Sequence, residues 1–295
     1  AIFYPLGVAA YTLGHSFTAF LLAELASAVS VSMRSGCDSA MLFDSLRQLG
    51  RENEYRRFEG KCALVARTGT AVSSVAGGLL ASVFLRLPFL VNFASALFMP
   101  AVAFSLSEPE REQRRSKNPL LDILRICRHC LQQPHIRPLI LSCGLLMASQ
   151  LTALWAYFLL YKELGIGVGW FGVLFAVFQL AGALGGSRAH AFSERFGAKT
   201  ALYLALLSPV FYILLGLLPS LWLLPLVPAN ALLWNLAYPV LLERLNLAVG
   251  SDVRATVLSL AGMAGSVAFI IVSPLFGRLV DAVSLSAAFV ALGAL

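Results

Sequence analysis

A lone carboxylate in an apolar run is the first residue whose type could do chemistry. Glu24 is flanked by Leu21, Leu22, Leu25 and Ala26, with no basic residue close in sequence. A charge inside a segment long enough to cross a bilayer costs roughly 2.5–3.5 kcal/mol on insertion scales, which makes such residues functional candidates by default. Desolvation there favours the neutral acid over the carboxylate, so the group is suited to take up and release a proton. The competing reading is a structural hydrogen bond to a neighbouring helix, or a cationic partner elsewhere. Arg34 and Asp38 stand four residues apart with Asp44 beyond, the helical spacing of a local ion pair worth a few tenths of a kcal/mol. Farther along, Gln150 and Tyr157 are seven residues apart and share one helix face, with Trp155 nearby. Asn230 and Trp234 follow at i, i+4, and Asn235 and Tyr238 at i, i+3. Amides donate and accept hydrogen bonds and aromatic rings offer adaptable contact surface, a mix that suits an organic molecule of modest polarity better than a multiply charged one. The competing readings are interhelical hydrogen bonding, about 0.6 kcal/mol on average, and an aromatic belt at a membrane surface. Gln179 and Asn92 carry the same chemistry with less context.

Other motifs fail on inspection. Cys127-Arg128-His129-Cys130 with His135 resembles half a zinc site, but a structural site needs four ligands and no second pair exists. Five cysteines scattered along the chain do not make a disulfide framework. Gly165-Ile166-Gly167-Val168-Gly169 has no preceding strand and is not a dinucleotide loop; no phosphate-binding loop, HExxH or GxSxG occurs. The expectation is a protein with no cofactor and no metal.

The elements that must position these residues follow from composition. Of 295 residues, 59% are hydrophobic and only 13% charged, with a mean hydropathy of +0.80. A soluble domain carries about 25% charged residues, so this chain cannot cover a water-facing surface of its size, and disorder is excluded as well. An all-α polytopic membrane protein remains. Apolar runs fall at about 1–14, 16–35, 62–85, 88–106, 138–161, 167–187, 199–218, 221–242, 255–277 and 285–295, most of them near the roughly 20 residues a span requires. The first and last are short. The chain begins at Ala1 and ends at Leu295 inside apolar runs, and it is expected to be a piece cut from a longer protein at both ends.

The net charge of +7 need not mean nucleic acid; where the cations fall decides. With loops assigned alternately, one side receives Arg34, Arg47, Arg51, Arg56, Arg57 and Lys61, then Arg111, Arg114, Arg115, Lys117, Arg125, Arg128 and Arg137, then Arg188, Arg195, Lys199, Arg244 and Arg254. The other side receives Arg86, Lys162 and Arg278, and Arg67 lies within a span. Excess Lys and Arg marks the cytoplasmic side, so the 36–61 and 107–137 loops are expected to be cytoplasmic and the protein to sit in the cytoplasmic (inner) membrane. The 107–137 stretch reads as a linker between bundles of residues 1–106 and 138–295, and its amphipathic part, 120–131, could also lie on anionic lipid.

Two helical bundles joined by a cytoplasmic loop resemble the major facilitator superfamily of secondary transporters. Glu194-Arg195-Phe196-Gly197-Ala198-Lys199 is similar to the family's acidic-basic-x-Gly-basic-basic signature, with Ala198 in a usually basic place and His190 where a Gly would lead. Ser35-Gly36-Cys37-Asp38-Ser39-Ala40-Met41-Leu42-Phe43-Asp44-Ser45-Leu46, continued by Arg57, Gly60 and Lys61, resembles a run in bacterial drug-transporter-like members. Pro274 to Asp281 is similar to the close of the family's eleventh span. On this resemblance the chain spans helices three to twelve of the family, the N-terminal bundle lacking its first two.

The resemblance implies alternating access by two bundles around a midplane site. It implies a central cavity lined from the seventh and tenth spans, where Gln150, Trp155, Tyr157, Asn230, Trp234, Asn235 and Tyr238 lie. It also implies a latch or gate formed by the charged motif residues Arg34, Asp38, Asp44, Glu194, Arg195, Gly197, Lys199 and Arg254. Gly69, Ser73, Ser74, Gly77 and Gly78 keep the outer glycines of the antiporter signature but replace its central Gly-Pro, and small-residue helix packing is the other reading. The expected partners are the lipid bilayer, a small-molecule solute and protons, with no nucleic acid, and the expected state is a monomer. Proton-coupled efflux of an organic solute is the first expectation and nutrient uptake by proton symport the second. A membrane enzyme or lipid-handling protein is the alternative class; Asp38 with Asp44 is too thin a cluster for it.

Overall fold

A backbone in lipid must satisfy its own N–H and C=O groups, and the apolar runs accordingly become helices. A computed structural model describes residues 2–34, 37–51, 54–106, 132–134, 136–197, 199, 203, 206–248 and 254–295, which hold helices and turns and no strand. The chain divides into a unit of residues 1–115 with 168–173 and a unit of residues 116–167 with 174–295.

The first unit contains α1 (Phe3–Leu13), α2 (Phe17–Arg34), α3 (Cys37–Gln48), α4 (Tyr55–Val83), α5 (Leu87–Ala96) and α6 (Phe98–Ser105). α1 packs against α2 and α5. The Tyr4 hydroxyl donates to Asn92 Oδ1 across the α1–α5 contact at 3.2 Å, and Thr12 Oγ1 lies 3.3 Å from the Phe89 carbonyl. Arg86 donates to the Thr12 and Gly14 carbonyls at 3.4 Å, a cation at the negative end of α1. Asn92 thereby serves a helix contact. The single run expected over 88–106 is broken at Leu97, because Pro100 cannot donate to the Ala96 carbonyl and its ring crowds that oxygen. The 36–61 stretch is helical for much of its length, and Leu46 on α3 is buried. In α4, a Cβ added to Gly78 would lie 2.8 Å from the Gly169 carbonyl oxygen, while Gly69 and Gly77 face open space.

The second unit contains α7 (Arg137–Glu163), the body of α8 (Val168–Phe196), α9 (Leu207–Leu217), α10 (Leu226–Leu247), α11 (Arg254–Ala282) and α12 (Leu285–Ala294). α7 lies along α11, α9 along α12, and α10 touches α7, α9 and α11. Ile136, Ile140 and Cys143 of the α7 end pack with Leu241 and Leu245 of α10 and Val257 and Ala261 of α11. Lipid tails are as apolar as leucine, so association in a bilayer relies on close van der Waals approach and interhelical hydrogen bonds. The structure supplies the approach through glycines. A Cβ on Gly144 would lie 3.1 Å from Ala264, one on Gly265 2.5 Å from Met147 Sδ, and one on Gly185 would overlap the Leu232 carbonyl of α10. On α8 the tightest approach is thus at Gly185, with Gly182 and Gly186 both facing Asn235.

Turns follow the same local chemistry. α7 ends where Gly165 takes φ +73°, with Ile166 N–H bonded to the Tyr161 carbonyl and Gly165 N–H to that of Lys162, a Schellman arrangement that glycine favours. Among the described residues, five helical segments are long and apolar enough to cross a membrane: Leu87–Ser105, Arg137–Glu163, Val168–Phe196, Leu221–Leu245 and Val257–Ala282. Phe17–Met33, Thr68–Val83, Leu207–Leu217 and Leu285–Ala294 are apolar but shorter. Numbered as expected spans three to twelve, the third pairs with the sixth (α1 with α5) and the ninth with the twelfth (α9 with α12), as a repeated bundle would have it.

The glycine contacts generate a paired test. Gly185→Val forces atoms into a neighbouring backbone and is expected to destabilise the protein by about 2 kcal/mol, whereas Gly262→Ala, which meets nothing within 4 Å, should be near neutral. Unfolding titrations in mixed detergent check both.

Candidate functional site: a buried amide and tyrosine hub beside an aromatic cavity

Three helices of the second unit bring polar side chains to one enclosed point. Gln150 and Tyr157 lie on the same face of α7, two turns apart, Tyr212 projects from α9 and Asn230 from α10, and all four are buried. Asn230 Nδ2 lies 2.9 Å from Gln150 Oε1, 2.9 Å from the Tyr157 hydroxyl and 3.1 Å from the Tyr212 hydroxyl. Tyr212 in turn donates to Gln150 Oε1 at 2.9 Å. The aromatic ring of Tyr157 stacks on Phe289 at 6.1 Å and meets Phe178 edge-on. Gln150 Nε2, Asn230 Oδ1 and Thr152 Oγ1 are buried and lack a protein partner.

Tyr212 has no place among the residues singled out from sequence. The Leu-rich run 207–217 carries two hydroxyls, Ser208 and Tyr212, and nothing in that run says which helix either faces.

The other aromatic candidates do something different. Trp234 and Tyr238 stack at 4.7 Å along α10 and wall a cavity of about 270 Å3. Its remaining lining is Leu139, Ser142 and Leu146 of α7, Ala237 and Leu241 of α10, and Tyr203 and Leu206 ahead of α9. Among the described residues no charged side chain lines it; Ser142 and the tyrosines supply hydroxyls. Asn235 turns its amide onto the Ala231 carbonyl of its own helix at 2.9 Å, beside Gly182. Trp155 is 63% exposed and stays apart from both groups. Gln179 is exposed too.

Glu24 lies on the exposed face of α2 and receives a hydrogen bond from the Tyr11 hydroxyl of α1. The Tyr11 ring is held between Phe20 and Phe89, both 5.9 Å away. A structural partner for Glu24 from a neighbouring helix is therefore present. Arg34 ends α2 and Asp38 belongs to α3, so the two are assigned to different helices; the side chains of Arg34, Asp38, Asp44, Arg67 and Arg254 lie outside the described residues, as do residues 107–131 with Cys127 and Cys130. In the charged motif, Glu194 Oε1 is 3.4 Å from His190 Nε2, Arg195 lies over the Phe196 ring at 5.3 Å, and Gly197, at φ +85°, ends α8 with Lys199 exposed beyond it. Ala198 also lies outside the described residues. Among the described residues no group of three His, Cys, Asp or Glu could hold a metal ion.

The hub ties three helices through one amide. Asn230→Leu is expected to cost about 2 kcal/mol, from three interhelical contacts at about 0.6 kcal/mol each; Tyr157→Phe, which removes one hydroxyl, should cost well under half of that. Thermal unfolding of the two variants in one detergent checks the ratio.

No curated protein matches the sequence. The Major Facilitator Superfamily matches residues 3–273, nearly the whole set of helices described above. The chain belongs to the Major Facilitator Superfamily and is a multi-pass membrane protein of a transporter family rather than an enzyme.

Proposed function

We propose that this member is a secondary active transporter that exports a small, largely apolar organic solute from the cytoplasm in exchange for protons, working as a monomer in the inner membrane. The observation that carries the solute class is the uncharged cavity walled by Trp234 and Tyr238. A multiply charged solute would have to be desolvated there without a counter-charge. The hub behind it holds α7, α9 and α10 in register, so that Trp234 and Tyr238 stand on a braced helix. Gln150, Tyr157 and Asn230 then act on the solute through position, while Trp234 and Tyr238 touch it.

Glu24 is the proton site in this reading. It is the carboxylate that stands within an otherwise apolar helix, and Tyr11 orients it. The basic loops at 36–61 and 107–137 face the cytoplasm, and Arg34, Asp38, Asp44, Glu194, Arg195, Gly197, Lys199 and Arg254 belong to the gate. Uptake by proton symport is the second reading, favoured by Ser73 and Ser74 standing where antiporters carry Gly-Pro.

The test is flux in liposomes holding the reconstituted full-length protein under an imposed pH gradient, with a screen of aromatic and aliphatic solutes. Coupling between a proton and a solute is a linkage of about 1–3 kcal/mol, or 5–150-fold; Glu24→Gln should lose a factor in that range from gradient-driven flux while keeping solute exchange without a gradient. Unchanged gradient-driven flux in that variant removes Glu24 from the mechanism. Trp234→Ala should raise the solute concentration needed for half-maximal flux. Gradient-driven accumulation on the opposite side selects symport.

A further inference from the structure

Every residue lining the cavity at Trp234 and Tyr238 comes from the second unit. Its back is sealed. Ala237 and Leu241 of α10 are 3% and 5% exposed, and Leu241 packs into the core it shares with Cys143 and Val257. Toward the middle of the span, the buried Gln150 and Asn230 stand one turn beyond Leu146 and Trp234. Toward the charged ends, Ile136 and Leu245 are buried as well. What is exposed in the lining lies to one side: Ser142, with Leu206 at 60% and Tyr203 at 65%. Tyr203 and Leu206 belong to the stretch leading into α9, which packs on α12 and α10. The mouth therefore sits on the flank of these helices and not at their charged ends.

Depth follows from helix rise. At roughly 1.5 Å per residue, Ser142 and Leu146 stand about 8 and about 14 Å along α7 from Arg137. On α10, Leu241 and Trp234 stand about 5 and about 15 Å from Arg244. Half of a hydrocarbon core is about 15 Å. With the cations of both helices at the membrane surface, the mouth opens within one leaflet, at the depth of the acyl chains. The hydroxyls of Ser142, Tyr203 and Tyr238 are the polar side-chain atoms of the lining.

We infer that the cavity is filled sideways from the bilayer and takes a neutral amphiphile, a compact apolar body carrying one hydroxyl or carbonyl. The body lies against the stacked rings of Trp234 and Tyr238, which offer a flat apolar surface. Its polar group meets the hydroxyl of Ser142 or Tyr203 at the mouth, where a hydrogen bond offsets the cost of leaving water. A phospholipid is refused its phosphate, because no cation lines the cavity among the described residues. A volume of about 270 Å3, just under the roughly 300 Å3 at which ligand sites usually begin, keeps the body small. The inference rests on this cavity being the solute site proposed above. It adds where the solute comes from and which group the solute must carry.

Trp234 is its own reporter. In the full-length protein every other tryptophan is replaced by Phe, the exposed Trp155, Trp170 and Trp222 among them, and the protein is reconstituted in vesicles. Trp234 emission should be quenched by phosphatidylcholine brominated on its acyl chains and left nearly unchanged by acrylamide in the water. Menthol should relieve the bromolipid quenching at a concentration about fivefold lower than its hydrocarbon analogue p-menthane, the worth of one neutral hydrogen bond. Ser142→Ala with Tyr203→Phe should abolish that difference and keep the bromolipid quenching, which a collapsed cavity would not. Quenching by acrylamide as strong as that by bromolipid overturns the lateral mouth. Equal potency of menthol and p-menthane on the unaltered lining overturns the amphiphile and leaves a lipid tail as the occupant. Relief by menthol without gradient-driven menthol flux upholds the bilayer-facing site and removes its role in transport, whereas flux with acrylamide quenching does the reverse.

Discussion

Helices that already sit in lipid gain little from hiding leucine against leucine, and the packing of this protein follows from that constraint. What remains to hold helix to helix is contact at distances only small residues allow, together with hydrogen bonds between side chains that have nowhere else to go. The second unit uses both. Gly144 and Gly265 let α7 and α11 approach until Ala264 and Met147 fill the space a side chain would need. Gly182 and Gly185 do the same for α8 and α10. Asn230, Gln150, Tyr157 and Tyr212 then fasten α7, α9 and α10 through one shared amide. Neither device alone would set both the distance and the rotation of α10. Glycines fix distance, and the amide fixes which face turns inward.

That division of labour governs where chemistry can occur. α10 is pinned at Asn230 and pressed on α8 near Leu232, so the aromatic pair at Trp234 and Tyr238 stands just beyond a fixed point. Pro239 follows within a residue of Tyr238 and releases the ladder. The kink that a proline imposes therefore falls just past the hub, within the stretch of α10 that lines the apolar cavity.

Much of the fold was legible in composition and spacing. Scarcity of charge assigned the solvent, the apolar runs located the helices, and the resemblance placed them in order. Legibility stopped where a neighbour decides. Gln150 and Tyr157 were readable as one face because seven residues make two turns. Tyr212 was not, since a tyrosine in a leucine-rich run has no period to betray its partner. Asn230 and Trp234 share helical spacing yet meet different surroundings, one sealed in the hub and the other on a cavity wall. Trp155 has the right type and the right helix but an exposed position. Gly182 and Gly186 both face Asn235, but Gly185 makes the tightest approach, because the crossing of α8 over α10 sets the register and sequence alone does not encode that crossing.

Glu24 shows the same limit from the other side. Its isolation among leucines marks it by cost alone, and cost does not distinguish a proton carrier from a structural acceptor. The Tyr11 hydrogen bond satisfies part of that cost, with the ring of Tyr11 fixed between Phe20 and Phe89. A purely structural acceptor could be an amide or a hydroxyl and would avoid the penalty of a carboxyl in lipid altogether. The Tyr11 hydrogen bond orders the Glu24 carboxyl while the residue stays exposed, a combination that the sealed hub around Asn230 does not allow.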